Sequence, residues 1–228
     1  MDQVTREYQS AVLPHFARQV RLYLDQPLPP EVEPIAVPSA LERAVPKRLV
    51  QFRGGRYCAM KAMEALNGSC AARQVGRSAI GAPLWPEGLV GSITHTDDFA
   101  SAAVALTSDA IAVGIDTERI MLESLARNVG RIVAWPAEVA HARGAGLSRF
   151  EALTLVFSAK ESIFKCLHPM VGCYFDFHDV RIVGVDGDER TFTARIVRTL
   201  SEAFPAQTVL QGRFDVEAPW IHTGLALA

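Results

Sequence analysis

The sequence predicts an α+β protein made of two similar lobes, each with one long helix packed on a small antiparallel sheet. Two stretches, residues 46–66 and 148–167, carry apolar side chains at the three-to-four spacing of a helix. Short apolar runs separated by turn residues follow each stretch, as expected for strands. We place the boundary near Val113, which gives an N-terminal lobe of residues 1–113 and a C-terminal lobe of residues 114–228.

The elements of the first lobe are predicted from local spacing and turn residues. A short helix is expected in residues 1–20, and little regular structure is expected in the proline-rich passage 27–46. The long helix that follows should end at Asn67-Gly68. Three further runs predict an antiparallel meander with tight turns: residues 89–96, 99–107 and 110–118.

The second lobe begins with a partly helical run, residues 120–143, in which Trp135-Pro136 starts a new helical turn. Ser148 followed by Glu151 is a capping-box signature for the start of the second long helix. His168-Pro169 should end that helix, because proline disfavours a helical conformation in the residue before it. Four strands are expected around or after this point: residues 175–185, 191–197, 209–216 and 221–228.

Lys160 does not suit its position in the second long helix. It falls in the middle of a broad apolar face, and a buried ammonium group is costly without an anionic partner. One interpretation is an internal ion pair with Glu161. The other is an anion-binding site, because Glu161 and Lys165 lie one turn apart on a polar stripe, shared with Ser158 and Thr154, at the edge of that face. Two lysines and a carboxylate on one edge favour the binding site.

Composition excludes several classes of protein. The chain has 228 residues, of which 49% are hydrophobic and 21% charged, and this is not the composition of a disordered protein. No apolar run reaches the roughly 20 residues that a membrane-spanning helix needs. The first residues lack the basic start and apolar stretch of a signal peptide, so we expect a cytoplasmic protein with no membrane partner. The 4 cysteines match no zinc-binding spacing and are expected to be buried thiols.

A basic segment lies between Glu42 and Arg77, where lysines and arginines far outnumber glutamates. Such a segment is often only a solvated face, and sometimes it binds nucleic acid. Here aromatic residues are sparse and no nucleic-acid-binding motif is visible. We therefore expect a small phosphorylated ligand and no nucleic-acid partner.

Two carboxylates end the third strand-like run. Strand alternation places Asp116 and Glu118 on one face, where they repel each other unless a cation or a basic group lies between them. A solvated strand end is the simpler interpretation. Together with Glu161, however, they form an all-oxygen ligand set that suits Mg²⁺. With the basic segment, this set predicts metal-assisted chemistry on a phosphate ester or anhydride.

Two motifs resemble the paired signatures of the 4′-phosphopantetheinyl transferases. They are VGIDTE at residues 113–118 and FSAKESIFK at residues 157–165. The likeness is to the branch that contains enterobactin synthase component D, and it covers residues 47–165. Three upstream motifs add to it: RGGRYCA at 53–59, PLWPEG at 83–88 and GSITHT at 91–96.

The resemblance implies a fold, an activity and a partner. Members of the family transfer the phosphopantetheine arm of coenzyme A onto a serine of an apo acyl, peptidyl or aryl carrier protein. The larger members are monomers built as a pseudo-dimer of two α+β lobes, with the active site between the lobes. For this chain, the resemblance implies a monomeric, Mg²⁺-dependent transferase that releases adenosine 3′,5′-bisphosphate.

The resemblance also implies roles for individual residues. Asp116, Glu118 and Glu161 would be the Mg²⁺ ligands. Asp116, Lys160 and Glu161 would act in catalysis, with either Glu161 or a metal-bound water as the general base. Arginine suits the nucleotide end because its planar fork matches phosphate oxygens. The implied coenzyme A contacts are Arg48, Arg56, Arg77, Thr94, His95, Lys160 and Lys165.

Two other functions stay open on the sequence alone. A Mg²⁺-dependent nucleotide phosphohydrolase could use the same acidic residues, and it would consume coenzyme A without a carrier protein. A module that binds coenzyme A or a carrier protein without catalysis is the non-enzymatic alternative. The presence of all three carboxylates argues against this second alternative.

Overall fold

A computed structural model of the chain describes residues 5–8, 10–66, 74–78 and 81–228. The predicted helix end at Asn67-Gly68, together with Cys70, lies outside these residues. The chain divides into two compact units, which consist mainly of Pro14–Val113 and of Gly114–Ala226. The mixed fold of helices and antiparallel sheets is confirmed, whereas the pseudo-dimeric relation of the two halves stays a prediction.

The first unit has one long helix and a four-stranded antiparallel sheet. In chain order the elements are β1 (Thr5–Tyr8), β2 (Arg18–Tyr23), α1 (Pro46–Leu66), β3 (Gly76–Arg77), β4 (Pro83–Leu84), β5 (Leu89–His95) and β6 (Phe99–Leu106). The order of strands in the sheet is β1-β2-β6-β5, and a separate two-stranded sheet pairs β3 with β4.

Close packing explains the glycine pair in α1. A Cβ atom on Gly54 would lie 2.7 Å from Leu24 Cδ2, and one on Gly55 would lie 2.8 Å from Ile93 Cγ2. Glycine weakens a helix by about 1 kcal/mol, but here it lets the helix approach the sheet. The core between them includes Leu22 and Met63, which are both fully buried.

The predicted N-terminal helix is wrong, because β1 and β2 occupy that region. Strand β2 pairs antiparallel with β6, with Gln19 opposite Ala103. The Gln19 side chain donates to Ser101 Oγ at 3.0 Å, and the Ser101 hydroxyl donates to the Val20 carbonyl at 2.9 Å. The partner that stabilises this strand is about 80 residues away in the chain, so local spacing does not reveal it.

The second unit has three α-helices and a five-stranded sheet. In chain order the elements are β7 (Ala112–Arg119), α2 (Glu123–Val133), α3 (Pro136–Gly144), α4 (Arg149–Val171), β8 (Val180–Asp186), β9 (Thr191–Ile196), β10 (Val209–Glu217) and β11 (Trp220–Leu227). The order of strands in the sheet is β7-β11-β10-β9-β8. Buried side chains from α3, α4 and the sheet, such as Ala142, Leu155 and Phe214, form one of its cores.

Three predicted details of the second half are corrected. The run that ends in the two carboxylates does not complete a meander with β6, because β7 lies beside β11. Helix α4 continues through Pro169 and closes on Gly172, whose φ of 70° is a left-handed cap that glycine adopts easily. The strand predicted from residue 175 begins at Val180, after a short 3₁₀ turn.

Two further features bear on the sequence predictions. Cys58 and Cys166 are buried as predicted, but Cys173 is exposed. Of the helices in the described part of the chain, none combines the length and the apolar composition needed to span a bilayer.

Candidate active site

Asp116 is the centre of a buried polar cluster between β7 and α4. Its side chain is only 3% exposed. Oδ1 accepts a hydrogen bond from Lys165 Nζ at 2.6 Å, and Oδ2 accepts one from Ser158 Oγ at 2.8 Å. The polar stripe predicted along α4 therefore meets the acidic end of β7.

Gly114 allows this close approach of strand and helix. A Cβ atom at this position would lie 2.0 Å from the Ser162 carbonyl oxygen and 2.7 Å from Cys166 Cβ. Any larger side chain would push β7 away from α4. The glycine that precedes Asp116 by two residues thus has a packing reason, and this packing helps bring Asp116 within reach of Ser158 and Lys165.

The other two predicted acidic residues respond to the charge on Asp116. Burial, followed by the negative charges of Asp116 and Glu161, raises the pKa of Glu118 to about 8, while the Lys165 ammonium opposes this shift. Burial and then Asp116 also raise the pKa of Glu161. Three carboxylates and one ammonium group therefore share a poorly solvated region, in which negative charge is in excess.

The donor chemistry of this cluster fits a hard divalent cation, because carboxylate oxygens are the ligands that Mg²⁺ prefers. A cation would relieve the repulsion that adds to burial in raising the pKa values of Glu118 and Glu161. Geometry adds no support: among the described residues, no group of three His, Cys, Asp or Glu side chains is arranged to hold a metal ion. Fit at this site therefore rests on ligand chemistry and charge.

Lys160 lies in a different polar contact from the one expected. Its ammonium group donates to the Glu138 carboxylate at 2.8 Å and to the Val133 carbonyl at 3.0 Å. Lys160 is 2% exposed and Glu138 is fully buried. The internal ion pair, the less favoured of the two interpretations of Lys160, thus exists, but its acid is Glu138 and not Glu161.

Glu138 ties together three elements of the second unit. It accepts from the Trp135 backbone N–H at 2.6 Å, which caps α3, and from the Ile182 N–H of β8 at 2.8 Å. Burial lowers the pKa of Lys160, and the charge of Glu138 opposes that shift. Glu138 was predicted only to help begin the helical turn at Trp135-Pro136, as a glutamate three residues after a helix N-cap often does, and not to pair with Lys160.

A small cleft opens beside Glu161. Its volume is about 90 Å³, and aromatic side chains form much of its wall. This environment suits a slender, largely apolar ligand segment next to a carboxylate. The lining residues are Lys160, Glu161, Phe164, Tyr174, Phe175, Asp176, Phe177 and Val180.

The first unit places its predicted ligand contacts in two groups. Arg48 Nη1 lies 2.6 Å from His95 Nε2, and because arginine can only donate, His95 accepts at this nitrogen. Arg56 lies 5.0 Å above the Phe52 ring and donates to the Gly76 carbonyl at 2.9 Å. Burial and then the charge of Arg77 lower the pKa of Arg56 to about 10.

Arg56 also lines a cavity of about 480 Å³, within the usual size of a small-molecule site. Its Nε is buried and has no hydrogen-bond partner within the described structure. Thr94, another of the predicted coenzyme A contacts, lies on β5 next to His95 and is only 2% exposed. The cavity walls include Glu31, Pro34, Ile35, Phe52, Met60, Lys61, Met63, Glu64, Gln74 and Val75.

Each unit thus brings part of the predicted set together. Arg48 contacts His95 in the first unit, and Asp116 contacts Lys165 in the second. Lys160 is engaged with Glu138 instead. Thr223 on β11 contacts Ser158 at 2.9 Å. It was not predicted as a site residue, because a partner 65 residues away leaves no local signal in the sequence.

Comparison with known proteins gives matches along most of the chain. A profile of the 4′-phosphopantetheinyl transferase N-terminal domain matches residues 37–105, and one of the 4′-phosphopantetheinyl transferase superfamily matches residues 112–217. 4′-Phosphopantetheinyl transferase Svp of Streptomyces mobaraensis is 38% identical over 197 residues, which cover 82% of this chain and 76% of Svp.

Two other relatives are also similar to this chain in sequence, one over most of its length and one over about half of it. 4′-Phosphopantetheinyl transferase PptT of Mycobacterium tuberculosis is 31% identical over 206 residues, covering 88% of this chain and 86% of PptT. Enterobactin synthase component D of Escherichia coli is 36% identical over 128 residues, covering 55% of this chain and 57% of that protein.

Proposed function

The chain belongs to the 4′-phosphopantetheinyl transferase superfamily, and on that premise we propose its reaction. This transferase moves the 4′-phosphopantetheine arm of coenzyme A onto a serine of an apo acyl, peptidyl or aryl carrier protein and releases adenosine 3′,5′-bisphosphate. The observation that carries the proposal is the cluster in which Lys165 and Ser158 hold Asp116 while Glu118 and Glu161 lie in its field.

Asp116, Glu118 and Glu161 would hold Mg²⁺. When bound, this ion supplies positive charge that neutralises the diphosphate and the transferring group. The excess of carboxylates over ammonium groups, and the raised pKa values of Glu118 and Glu161, support this assignment. Removing the ion would leave that repulsion unrelieved.

Lys165 is the cation of this cluster that can also reach a ligand. Its side chain is 27% exposed, so it is not enclosed with Asp116. An ammonium group has three donors, and a donor beyond the Asp116 contact can bind a phosphate oxygen. A preorganised cation at the diphosphate favours the transition state, in which charge is redistributed over the transferring group. The contact of Lys160 with the diphosphate stays a prediction, and its contacts with Glu138 and Val133 support a role in folding.

Glu161 is proposed to accept the proton of the carrier serine. Burial is the largest cause of the raised pKa of Glu161, and a buried carboxylate with a raised pKa is a better proton acceptor near neutral pH than a solvated one. The cleft beside Glu161 would take the pantetheine arm, because its aromatic walls suit a slender, uncharged chain. This position would place the arm beside the proposed base.

The nucleotide end of coenzyme A is proposed to bind the first unit. Arg56 and Arg77 repel each other there, and a phosphate group would relieve that repulsion through charge-assisted hydrogen bonds. The buried Nε of Arg56 offers a further donor. Arg48, Thr94 and His95 would complete the contacts with the nucleotide phosphates.

Incubation of the protein with coenzyme A, Mg²⁺ and a panel of apo carrier proteins tests this function. We expect intact-mass spectra to show the added phosphopantetheine arm on the carrier serine, and a serine-to-alanine carrier to stay unmodified. Loss of coenzyme A at the same rate without any carrier would instead identify a phosphohydrolase. Binding of coenzyme A with no product on any carrier would identify a non-catalytic module.

The monomeric state is part of the same proposal. Light scattering during size-exclusion chromatography measures the molar mass directly, and a single chain has a mass of 24.8 kDa. We expect that mass with and without coenzyme A. A stable dimer would contradict the proposed monomeric state.

A further inference from the structure

We propose that Ser158 is a positioning residue, which, backed by Thr223, holds the Asp116 carboxylate in the orientation that a divalent cation needs. The inference rests on the proposed metal site and adds a residue that is not itself a ligand. Ser158 lies on α4, one position before Ala159 and two before Lys160. Its hydroxyl lies 2.8 Å from Asp116 Oδ2 and 2.9 Å from Thr223 Oγ1.

The available protons decide the direction of these hydrogen bonds. Each hydroxyl group has one proton to donate. Thr223 Oγ1 donates to the Ser158 backbone carbonyl at 2.9 Å. An ionised carboxylate can only accept, so Ser158 donates to Asp116. Thr223 thus holds the Ser158 backbone from β11, and Ser158 directs its proton at one carboxylate oxygen.

The two oxygens of Asp116 therefore have different neighbours. Oδ2 receives the neutral hydroxyl, while Oδ1 receives the Lys165 ammonium. Two bonds to opposite ends of a carboxylate fix its rotation about the last side-chain bond. A metal-ligating carboxylate whose orientation is set in advance loses less conformational freedom when the ion binds, and hydrogen bonds from residues behind the ligands often set metal affinity in this way.

The burial of the Ser158 and Thr223 hydroxyl groups indicates that they have a role beyond filling space. Ser158 on α4 and Thr223 on β11 are both fully buried, as are the apolar residues Leu155 and Ala159 near Ser158 in the helix. Alanine and valine would fill the same volume without polar atoms to satisfy, and buried hydroxyl groups add stability only when every partner is present. A polar pair in such a position has its clearest effect on the carboxylate that it touches.

Ser162 provides a matched control in the same helix. It is also fully buried, lies about one turn after Ser158, and donates only to the Ala159 backbone carbonyl within its own helix at 2.8 Å. Ser162→Ala therefore removes the same atom from the same helix without touching Asp116. Ser158→Ala removes the donor to Asp116. Thr223→Val removes the supporting hydroxyl with little change of shape. Thr223→Ser removes the methyl group and keeps the hydroxyl.

The test measures Mn²⁺ affinity by electron paramagnetic resonance with no coenzyme A present, together with the melting temperature of each variant. We expect Ser158→Ala to weaken Mn²⁺ binding by about 10-fold or more, within the roughly 10–100-fold range of changes behind metal ligands. Ser162→Ala should bind Mn²⁺ like the wild type. Thr223→Val should weaken Mn²⁺ binding less than Ser158→Ala does, and Thr223→Ser should bind Mn²⁺ like the wild type. In transfer assays, the Mg²⁺ concentration for half-maximal rate should rise in parallel.

Each other result overturns the proposal. If Ser158→Ala melts at a lower temperature but binds Mn²⁺ within twofold of the wild type, the hydroxyl serves stability alone. If Ser158→Ala does not fold, Thr223→Val decides, and unchanged Mn²⁺ affinity in that variant refutes positioning. A wild-type protein that binds no Mn²⁺ would refute the metal site of the proposed function and this inference with it. Normal wild-type binding with unaffected variants refutes the inference alone.

Discussion

Replacing Lys160 by methionine should destabilise the protein, because the structure gives this lysine a buried acid as its partner. The change removes an ammonium group that is 2% exposed and leaves the fully buried carboxylate of Glu138 without its counter-ion. Methionine fills the volume of the lysine stem but offers no hydrogen bond. The Val133 carbonyl also loses its donor from Lys160.

The size of the effect follows from what remains around Glu138. Removing one partner of a buried ion pair costs about 3–5 kcal/mol in free energy of unfolding. The N–H groups of Trp135 and Ile182 still donate to the carboxylate, so we expect the lower end of that range. For a protein of this size, a loss of about 3 kcal/mol lowers the melting temperature by roughly 6–12 °C.

The assay is thermal and urea unfolding without ligand, followed by transfer activity of the folded fraction. Lys61→Met is the matched control, since its ion pair with Glu64 is partly exposed, at 30% and 33% for the two side chains, and such pairs contribute at most about 1 kcal/mol. The double variant Lys160→Met/Glu138→Gln removes both charges and should be less unstable than Lys160→Met alone.

One result would refute this reasoning. If Lys160→Met unfolds within about 1 kcal/mol of the wild type while its transfer activity is lost, the ion pair with Glu138 does not hold the fold. Lys160 would then be assigned to the diphosphate of coenzyme A, as the family resemblance implies. A destabilised variant whose folded fraction transfers normally would support the structural role.

Three other predictions concern the metal, the nucleotide end and pH. Chelation by EDTA should abolish transfer and added Mg²⁺ or Mn²⁺ should restore it, so full activity in metal-free buffer would contradict the assignment of the carboxylates as ligands. Arg56→Ala should weaken coenzyme A binding, measured by calorimetry, by about 1.5–3 kcal/mol, and should weaken dephospho-coenzyme A binding much less. The control Arg53→Ala, which loses a contact to the Ile35 carbonyl, should affect the binding of both ligands alike. Equal losses for the two ligands in Arg56→Ala would mean that this arginine does not bind the 3′-phosphate. In the metal-free protein, burial raises the pKa of Glu118 from its ordinary 4.5 to about 8. Between these two pH values the folded state keeps a proton that the unfolded state has lost, so the stability of the fold should decrease as pH rises. Melting curves in EDTA from about pH 5 to 8 should show this decrease and Glu118→Gln should reduce it, whereas a wild-type stability that rises with pH would contradict the prediction.

Several elements of the fold could be predicted because their signals are local. Ser148 and Glu151 form the capping box that starts α4, with N···O distances of 2.8 and 3.3 Å. The spacing of apolar residues predicts α1, and the turn at Asp97-Asp98 predicts the pairing of β5 with β6. Each of these signals lies within a few residues of the structure that it specifies.

The candidate site was also partly predictable. The motifs that contain Asp116 and Lys165 pointed to one site, and the two side chains do meet in the structure. Sequence spacing also placed Ser158 on the same polar stripe. It did not show that Ser158 contacts Asp116, nor that Thr223 holds Ser158 from the last strand.

Only the tertiary structure decided the partners of residues that are far apart in the chain. Lys160 was recognised from its position as a buried cation in need of an anionic partner, but neither interpretation named Glu138, which is 22 residues away and is the acid that it contacts. Strand β2 was missed because β6 stabilises it, and β7 was assigned to a meander although it lies beside β11. Periodicity and capping describe a residue's own element, whereas the partner of a buried charge or of a strand edge depends on which elements pack together.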